Sequence, residues 1–166
     1  MRIQQVTEND WRLVQGVRLR ALREDPDHFG ASLSREERFT ESHWRMRLRT
    51  STTWIAVDDG DVGRGIVTMM QEPGSPVDDR HIVSLWVASE VRRCGVGWSL
   101  LDAVRTAAVG DNARTVSLWL LDGNHAAGDL VVRAGYTRTG ERQVRPRDPS
   151  QTEERYVLTL RGAHSA

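Results

Sequence analysis

The chain contains no lysine; all 23 of its Lys+Arg count is arginine, balanced by 23 acidic residues. That absence excludes a Walker-type phosphate loop, Gly-x-x-x-x-Gly-Lys-Ser/Thr. A formal net charge of zero gives no bulk attraction to nucleic acid or to a membrane surface, so neither is an expected partner. The single cysteine, Cys94, rules out an internal disulfide and suits a reducing, cytoplasmic setting. No apolar run approaches the length of a membrane span. The start, Met1-Arg2-Ile3-Gln4-Gln5, lacks the apolar stretch of a secretory leader. The five histidines show no ligand spacing, and no metal is expected. Repeats and long linkers are missing as well, so residues 1–166 are expected to form a single domain. A chain of this length buries about 70% of its unfolded surface, enough for a true core.

What is present points to one loop. The apolar run His81-Ile82-Val83-Ser84-Leu85-Trp86-Val87-Ala88 precedes Arg92-Arg93-Cys94-Gly95-Val96-Gly97. Val96, Leu100, Leu101, Val104 and Ala108 then recur by threes and fours, the period of an amphipathic helix. The order is strand, Arg/Gly loop, helix. Glycines let a backbone approach a ligand closely. Free N–H groups and the dipole at a helix start favour negative charge, and Arg92 and Arg93 add two formal positive charges. The segment reads as a pyrophosphate cradle. A dinucleotide fingerprint would need a third glycine where Leu100 stands and an acidic residue closing a second strand; it has neither.

The remaining pattern supplies further elements. Ile3 to Val6 is a short strand. Thr7 caps a helix that turns Trp11, Val14, the Arg18 stem, Ala21 and Leu22 inward, and Pro26 ends it. Ser34 with Glu37 forms a capping box for a second, short helix. A helix after Thr40 buries Trp44 and Leu48. Trp54 to Val57 and Val62 to Gln71 form a hairpin around Asp58-Asp59-Gly60-Asp61. Pro73-Gly74-Ser75-Pro76 breaks the chain before the loop-bearing strand. Arg114 to Leu121 is another strand. Thr137 to Val144 and Arg155 to Leu160 close as an antiparallel pair, with Arg145 to Thr152 as a long polar loop between them. The sum is an α/β (α+β) chain of about seven strands and about four helices.

Two signatures carry a resemblance. The strand with Arg92-x-x-Gly95-x-Gly97 resembles the acetyl-coenzyme A loop of the GNAT family of N-acetyltransferases. Asn124, Ala127, Leu130, Ala134, Gly135 and Tyr136 resemble that family's second signature, Asn-x-x-Ala-x-x-Leu-Tyr-x-x-x-Gly-Phe/Tyr, with Gly135 suited to a left-handed helix C-cap. The likeness covers residues 52 to 161 well. It extends N-terminally through Arg18-Leu19-Arg20-Ala21-Leu22, Pro26, Phe29-Gly30, Glu37 and Trp44. It implies a mixed, mostly antiparallel seven-stranded sheet. It implies acetyl-CoA as co-substrate, its pantetheine arm lying between two splayed strands near Leu85, Trp86 and Val87 on one side and Leu118 to Leu120 on the other. It further implies direct acetyl transfer to an amine acceptor. Dimers are common among relatives, so a homodimer is an open expectation.

The resemblance implies cofactor contacts from Leu85, Trp86, Val87, Arg92, Arg93, Cys94, Gly95, Val96, Gly97 and Asn124, with a free N–H of Leu85 or Val87 meeting the oxyanion. A proton must leave the ammonium before it attacks. His81, eleven residues before Arg92, occupies the slot of the carboxylate that some members use as base. Glu72 is a second candidate, and a water chain a third. The position of the usual acid, a tyrosine, is Val131 here, which donates nothing. An alternative reading is therefore a non-catalytic acetyl-CoA-binding sensor or partner module; a chance glycine turn in an unrelated α/β domain is the remaining one. Glu24, Asp25, Asp27, Glu36, Glu37 and Glu41 make the 24 to 41 stretch acidic, so a small cationic amine bound near Phe29 and Glu37 is the expected acceptor, with a polyamine-like metabolite, an antibiotic amine, an amino acid and a protein N-terminus or lysine all open as its identity.

Overall fold

The computed structural model describes residues 1–29 and 31–160; Gly30, part of the N-terminal resemblance, and 161–166 lie outside the described residues. One sheet has the order β1-β2-β3-β4-β5-β7-β6. Its strands are β1 Arg2–Val6, β2 Thr52–Val57, β3 Gly63–Met70, β4 Asp79–Val87, β5 Thr115–Leu121, β6 Thr137–Arg145 and β7 Asp148–Thr159. Every neighbouring pair is antiparallel except β4 with β5. The helices are α1 Trp11–Glu24, α2 Leu33–Glu36, α3 Glu41–Thr50, α4 Val96–Gly110 and α5 His125–Arg133, five where about four were expected.

The apolar periods decide which face each helix covers. Val96, Leu100, Leu101, Val104 and Ala108 of α4 pack on Trp54, Val67, Ile82 and Val116. Val14, Val17 and Ala21 of α1, with Leu48 of α3, pack on Ile55, Val57, Ile66 and Trp86 of the opposite face. Each fully buried aliphatic side chain of these sets contributes about 1.5–3 kcal/mol. α5 ends in a Schellman motif: Gly135 has φ 99°, its N–H bonds Val132 O, and Tyr136 N–H bonds Val131 O.

Three local expectations are corrected. Ser32, not Ser34, caps α2, its hydroxyl accepting from the Arg35 N–H. Thr7 caps a 3-10 turn, Glu8–Asp10, which then leads into α1. The long loop from Arg145 to Thr152 is instead a tight hairpin, since β6 runs through Arg145 and β7 begins at Asp148. Its prolines do not prevent this. Pro146 is in the turn, and Pro149 lies in a bulge between the Val144↔Thr152 and Arg145↔Asp148 pairs, where no ladder N–H is required.

Candidate active site

β4 and β5 share only three rungs, Asp79↔Thr115, Arg80↔Val116 and His81↔Ser117. Beyond them the strands part, while β4 remains paired to β3 on its other edge as far as Gly65↔Val87. The Ala88 N–H bonds Arg64 O at 2.8 Å, which makes Gly65 and Val87 a non-hydrogen-bonded pair. The N–H and C=O of Val87 therefore face the opening toward β5. Arg92 Nε takes that carbonyl at 2.9 Å, and the N–H stays on the open edge. A bulge interrupts the ladder between Ile66 and Thr68, with Ser84 in the left-handed region at φ 61°. Arg18 Nη1 holds the Ser84 hydroxyl at 3.1 Å, so α1 braces the bulge.

The Arg/Gly loop delivers the chain to α4 through two left-handed residues, Arg93 at φ 61° and Gly95 at φ 82°. Gly95 is the N-cap residue and offers no capping side chain. The first amides of α4 thus lack an intrahelical acceptor. Space is open where a Cβ on Gly95 would stand. These features fit a diphosphate. The two arginines divide their work. Arg92 points backwards, pairing with Asp25 at 2.8 Å besides the Val87 carbonyl. Asp25 also accepts from Trp86 Nε1 at 2.7 Å, so the buried Trp86 ring is tied to the α1 side and only its backbone borders the opening. Arg93 makes no ion pair among the described residues and supplies the free charge. Cys94 is exposed, its thiol 3.5 Å from Arg92 O. Val96 is a core residue. Gly97 lies where α4 approaches α5: a Cβ there would meet the end of the Leu130 side chain, Cδ2, at 2.6 Å. Glu90 anchors the loop's start; Arg20 hydrogen bonds, then its own backbone N–H and Arg64, draw its carboxyl down to about 2.

His81 is buried on the last shared rung. Asp79 accepts from the hydroxyls of Thr115 at 2.7 Å and Ser117 at 2.8 Å. Ser117 has one proton and gives it to Asp79. At the 2.9 Å contact with His81 Nδ1 the serine oxygen must then accept. Nδ1 carries the hydrogen, and Nε2 of the neutral ring keeps its lone pair. Burial pushes the imidazole pKa down, against the opposing charges of Glu72 and Asp79. Glu72 Oε2 lies 3.7 Å from Nδ1 and is half exposed, so the chain Asp79–Ser117–His81–Glu72 runs from the interior to the surface. Structure thus unites both candidate bases in one cluster. Ser117 and Asp79 are the members that sequence reasoning missed.

On the α1–α2 side the structure brings in Glu36 rather than Glu37. Glu36 is 3% exposed and takes Arg18 Nε at 3.0 Å, Arg18 Nη2 at 3.1 Å and Arg47 Nη1 at 3.0 Å. Burial raises its pKa, but Arg18 and then Arg47 outweigh it and hold the carboxyl low. Glu37 is exposed and reaches Arg23 only at 3.7 Å. Glu24, Asp25 and Glu41 likewise face Arg20, Arg92 and Arg45. Of the acidic stretch, Asp27 alone has no arginine partner among the described residues, which removes most of the negative lining expected for a cation. Phe29 lies over the Arg18 guanidinium at 5.0 Å and borders a cleft of ≈ 220 Å³ with Pro26, Asp27 and the β6–β7 turn. Across the opening, Asn124 caps α5 by accepting from the Ala127 N–H at 3.3 Å. Val131 is fully buried in the core, so that position is apolar in structure as well as sequence.

The sequence profile described as the acetyltransferase (GNAT) family matches residues 18–136. A sheet splayed beside an uncapped helix start and this match define an acyltransferase. The chain belongs to the GNAT acetyltransferase family, whose members use acetyl-CoA as co-substrate. Its fold is similar to that of a GNAT-family acetyltransferase from Streptococcus pneumoniae, at TM-score 0.79 and 18% identity over 96% of this chain and 99% of that one. A ribosomal-protein-alanine N-acetyltransferase from Brucella melitensis gives TM-score 0.73 and 19% identity over 96% and 100%. A ribosomal-protein-S5-alanine acetyltransferase from Vibrio fischeri gives 0.78 and 12% over 95% and 91%. No curated protein sequence matches the chain. Among the described residues no helix is long and apolar enough to cross a membrane.

Proposed function

We propose that the chain moves the acetyl group of acetyl-CoA directly to the amine of a small molecule, at the opening between β4 and β5. One observation carries this reading. β4 stops pairing with β5 after His81↔Ser117 and leads, on the same edge, to the uncapped start of α4. Bound acetyl-CoA supplies an activated acyl carbon. In this reading the amides from Cys94 to Gly97 and the Arg93 guanidinium hold the diphosphate. Arg92 acts through Asp25 and Val87 to fix the loop. Backbone of Leu85, Trp86 and Val87 borders the thioester arm, with Asn124 opposite. The Val87 N–H donates toward the acetyl carbonyl oxygen, where negative charge builds. His81 Nε2, with its lone pair free, takes the ammonium proton directly or through water; the Glu72 carboxylate, 3.7 Å from Nδ1, stabilises the imidazolium, which returns the proton from Nε2 to water. With Val131 apolar, the departing thiolate is protonated by water, which its weak basicity permits.

Calorimetric titration with CoA, followed by thiol release from acetyl-CoA across an amine panel, tests this. Binding with turnover of at least one small amine is expected. Absence of any binding heat sinks the loop assignment. Tight binding with no turnover of any amine would instead favour a non-catalytic acetyl-CoA-binding module.

A further inference from the structure

We propose that the acceptor carries a carboxylate as well as its amine, and that Arg145 binds that carboxylate. The proposal rests on the transferase reading above and names the substrate class of the same site. Among the described residues two arginines are buried, Arg18 at 7% exposed and Arg145 at 6%. Arg18 is neutralised by a two-point pair with Glu36. Arg145 has no carboxylate within ion-pair distance among the described residues. Its Nη1 donates to two neutral oxygens, Asp27 O at 2.6 Å and Gln151 Oε1 at 2.8 Å. Nε and Nη2 have no protein acceptor among the described residues. A guanidinium buried without a counter-charge is unfavourable.

Its free Nε/Nη2 edge belongs to a residue that lines the ≈ 220 Å³ cleft bordered by Phe29, Asp27, Arg147 and Asp148. Two parallel N–H donors on one planar edge match the two oxygens of a carboxylate. Arg147, exposed at the rim, adds positive charge. Two contacts link the cleft to the β4 bulge: Phe29 lies over Arg18, which bonds Ser84. Two acids complete the lining. Asp148 is turned to Ser150, accepting from its N–H at 3.2 Å and its hydroxyl at 2.5 Å, while the Asp27 carboxylate has no partner among the described residues. A cleft whose guanidinium and one of whose carboxylates lack a counter-charge among the described residues suits a molecule bearing both signs. Its volume is below the ~300–1,000 Å³ of drug-sized sites, which points to the scale of a single amino acid.

The test uses matched acceptors with the intact protein: amino acids, their carboxamides and their decarboxylated amines, read by thiol release from acetyl-CoA. In at least one series the acid is expected to exceed its carboxamide in kcat/KM by about tenfold or more, since only the carboxylate forms a charge-assisted pair. Arg145→Gln should then raise the acceptor KM and erase that preference, with the acetyl-CoA KM unchanged. Arg145 also holds Asp27 and Gln151, so that variant can fail to fold; Arg147→Gln, at the rim, should weaken the same preference in part. The proposal is overturned if carboxamides or decarboxylated amines equal or exceed the acids in every series, an outcome that leaves the transferase reading standing. If no amine of any kind is acetylated, the transferase reading has failed. Calorimetry on the CoA-saturated protein then decides the carboxylate site: tighter binding of acids than of carboxamides supports it, and equal binding overturns it.

Discussion

The Ser117 hydroxyl accepts a hydrogen bond from His81 Nδ1 at 2.9 Å because its own proton is held by Asp79 at 2.8 Å. That relationship fixes the histidine tautomer and leaves Nε2 as the basic nitrogen. His81→Asn tests the assignment, since an amide N–H can replace Nδ1–H toward Ser117 but cannot accept a proton at neutral pH. General bases contribute ~10²–10⁴-fold. The variant should lose about 10²-fold in kcat with an unchanged KM for acetyl-CoA, and the acidic limb of the rate profile should vanish. Equal turnover and an identical profile would remove His81 from the reaction. Ser117→Ala, which frees Nδ1 to become the acceptor, should lower kcat by a smaller factor and shift the limb.

The same burial makes stability depend on pH. His81 has its pKa lowered in the folded state, chiefly by desolvation. Unfolded, the ring titrates near ~6.5 and so binds more protons than the native state as pH falls past that value. Stability therefore declines as pH drops from about 6.5 toward the folded pKa, and is level above it. Glu90 behaves with the opposite ionic form but the same direction: its carboxyl is held at about 2, so its contribution is present above the ordinary carboxylate range and fades as pH falls through it. Urea denaturation from pH 8 to 5 should show the histidine decline in the parent protein and a flatter curve in His81→Asn. Parallel curves would refute the linkage.

How much was legible in the sequence follows from the range of each interaction. Gly135 was readable because a left-handed backbone at a helix end is a local demand. The α4 stripe was readable because burial repeats every turn. The Asp79–Ser117 contact joins residues 38 apart through a parallel pairing that no local pattern announces. Arg145 meets Asp27 across 118 residues, and two prolines and a polar run masked the hairpin that brings it there. The choice of Glu36 over Glu37 turns on one step of rotation in a four-residue helix, set by the Ser32 cap rather than Ser34.

Gly97 has a packing neighbour as well as the place proposed for it beside the diphosphate. A methyl group at that position would meet Leu130 Cδ2 at 2.6 Å, where α4 approaches α5. The obstructing atom ends a flexible, partly exposed leucine side chain, so a rotamer shift relieves the clash cheaply, and alanine's better helix propensity offsets part of what remains. Gly97→Ala should therefore stay within about 1 kcal/mol of the parent in chemical denaturation. Leu130→Ala removes the obstructing atoms, so the double variant should be more stable than the sum of the two single changes, by on the order of 0.5 kcal/mol. Strict additivity would place the methyl group in free space and contradict the close approach.

Glu36 and Glu37 should differ sharply although they are adjacent and chemically identical. Glu36 is buried between Arg18 and Arg47, at 3.0 Å from each. Removing it leaves the Arg18 guanidinium unpaired in the interior, a change that costs about 3–5 kcal/mol. The loss should reach the site as well, because Arg18 also braces Ser84 in the β4 bulge at 3.1 Å. Glu37 is exposed, with Arg23 3.7 Å away. An exposed pair of that kind contributes about 0–1 kcal/mol. Glu36→Ala is therefore expected to unfold at markedly lower urea and to lose activity where it remains folded, while Glu37→Ala tracks the parent in both. Arg18→Met with Glu36→Leu, which removes both charges together, should recover much of the stability but not the activity, since the bulge then lacks its hydrogen bond. Full recovery of activity in that pair would show that Ser84 needs no brace.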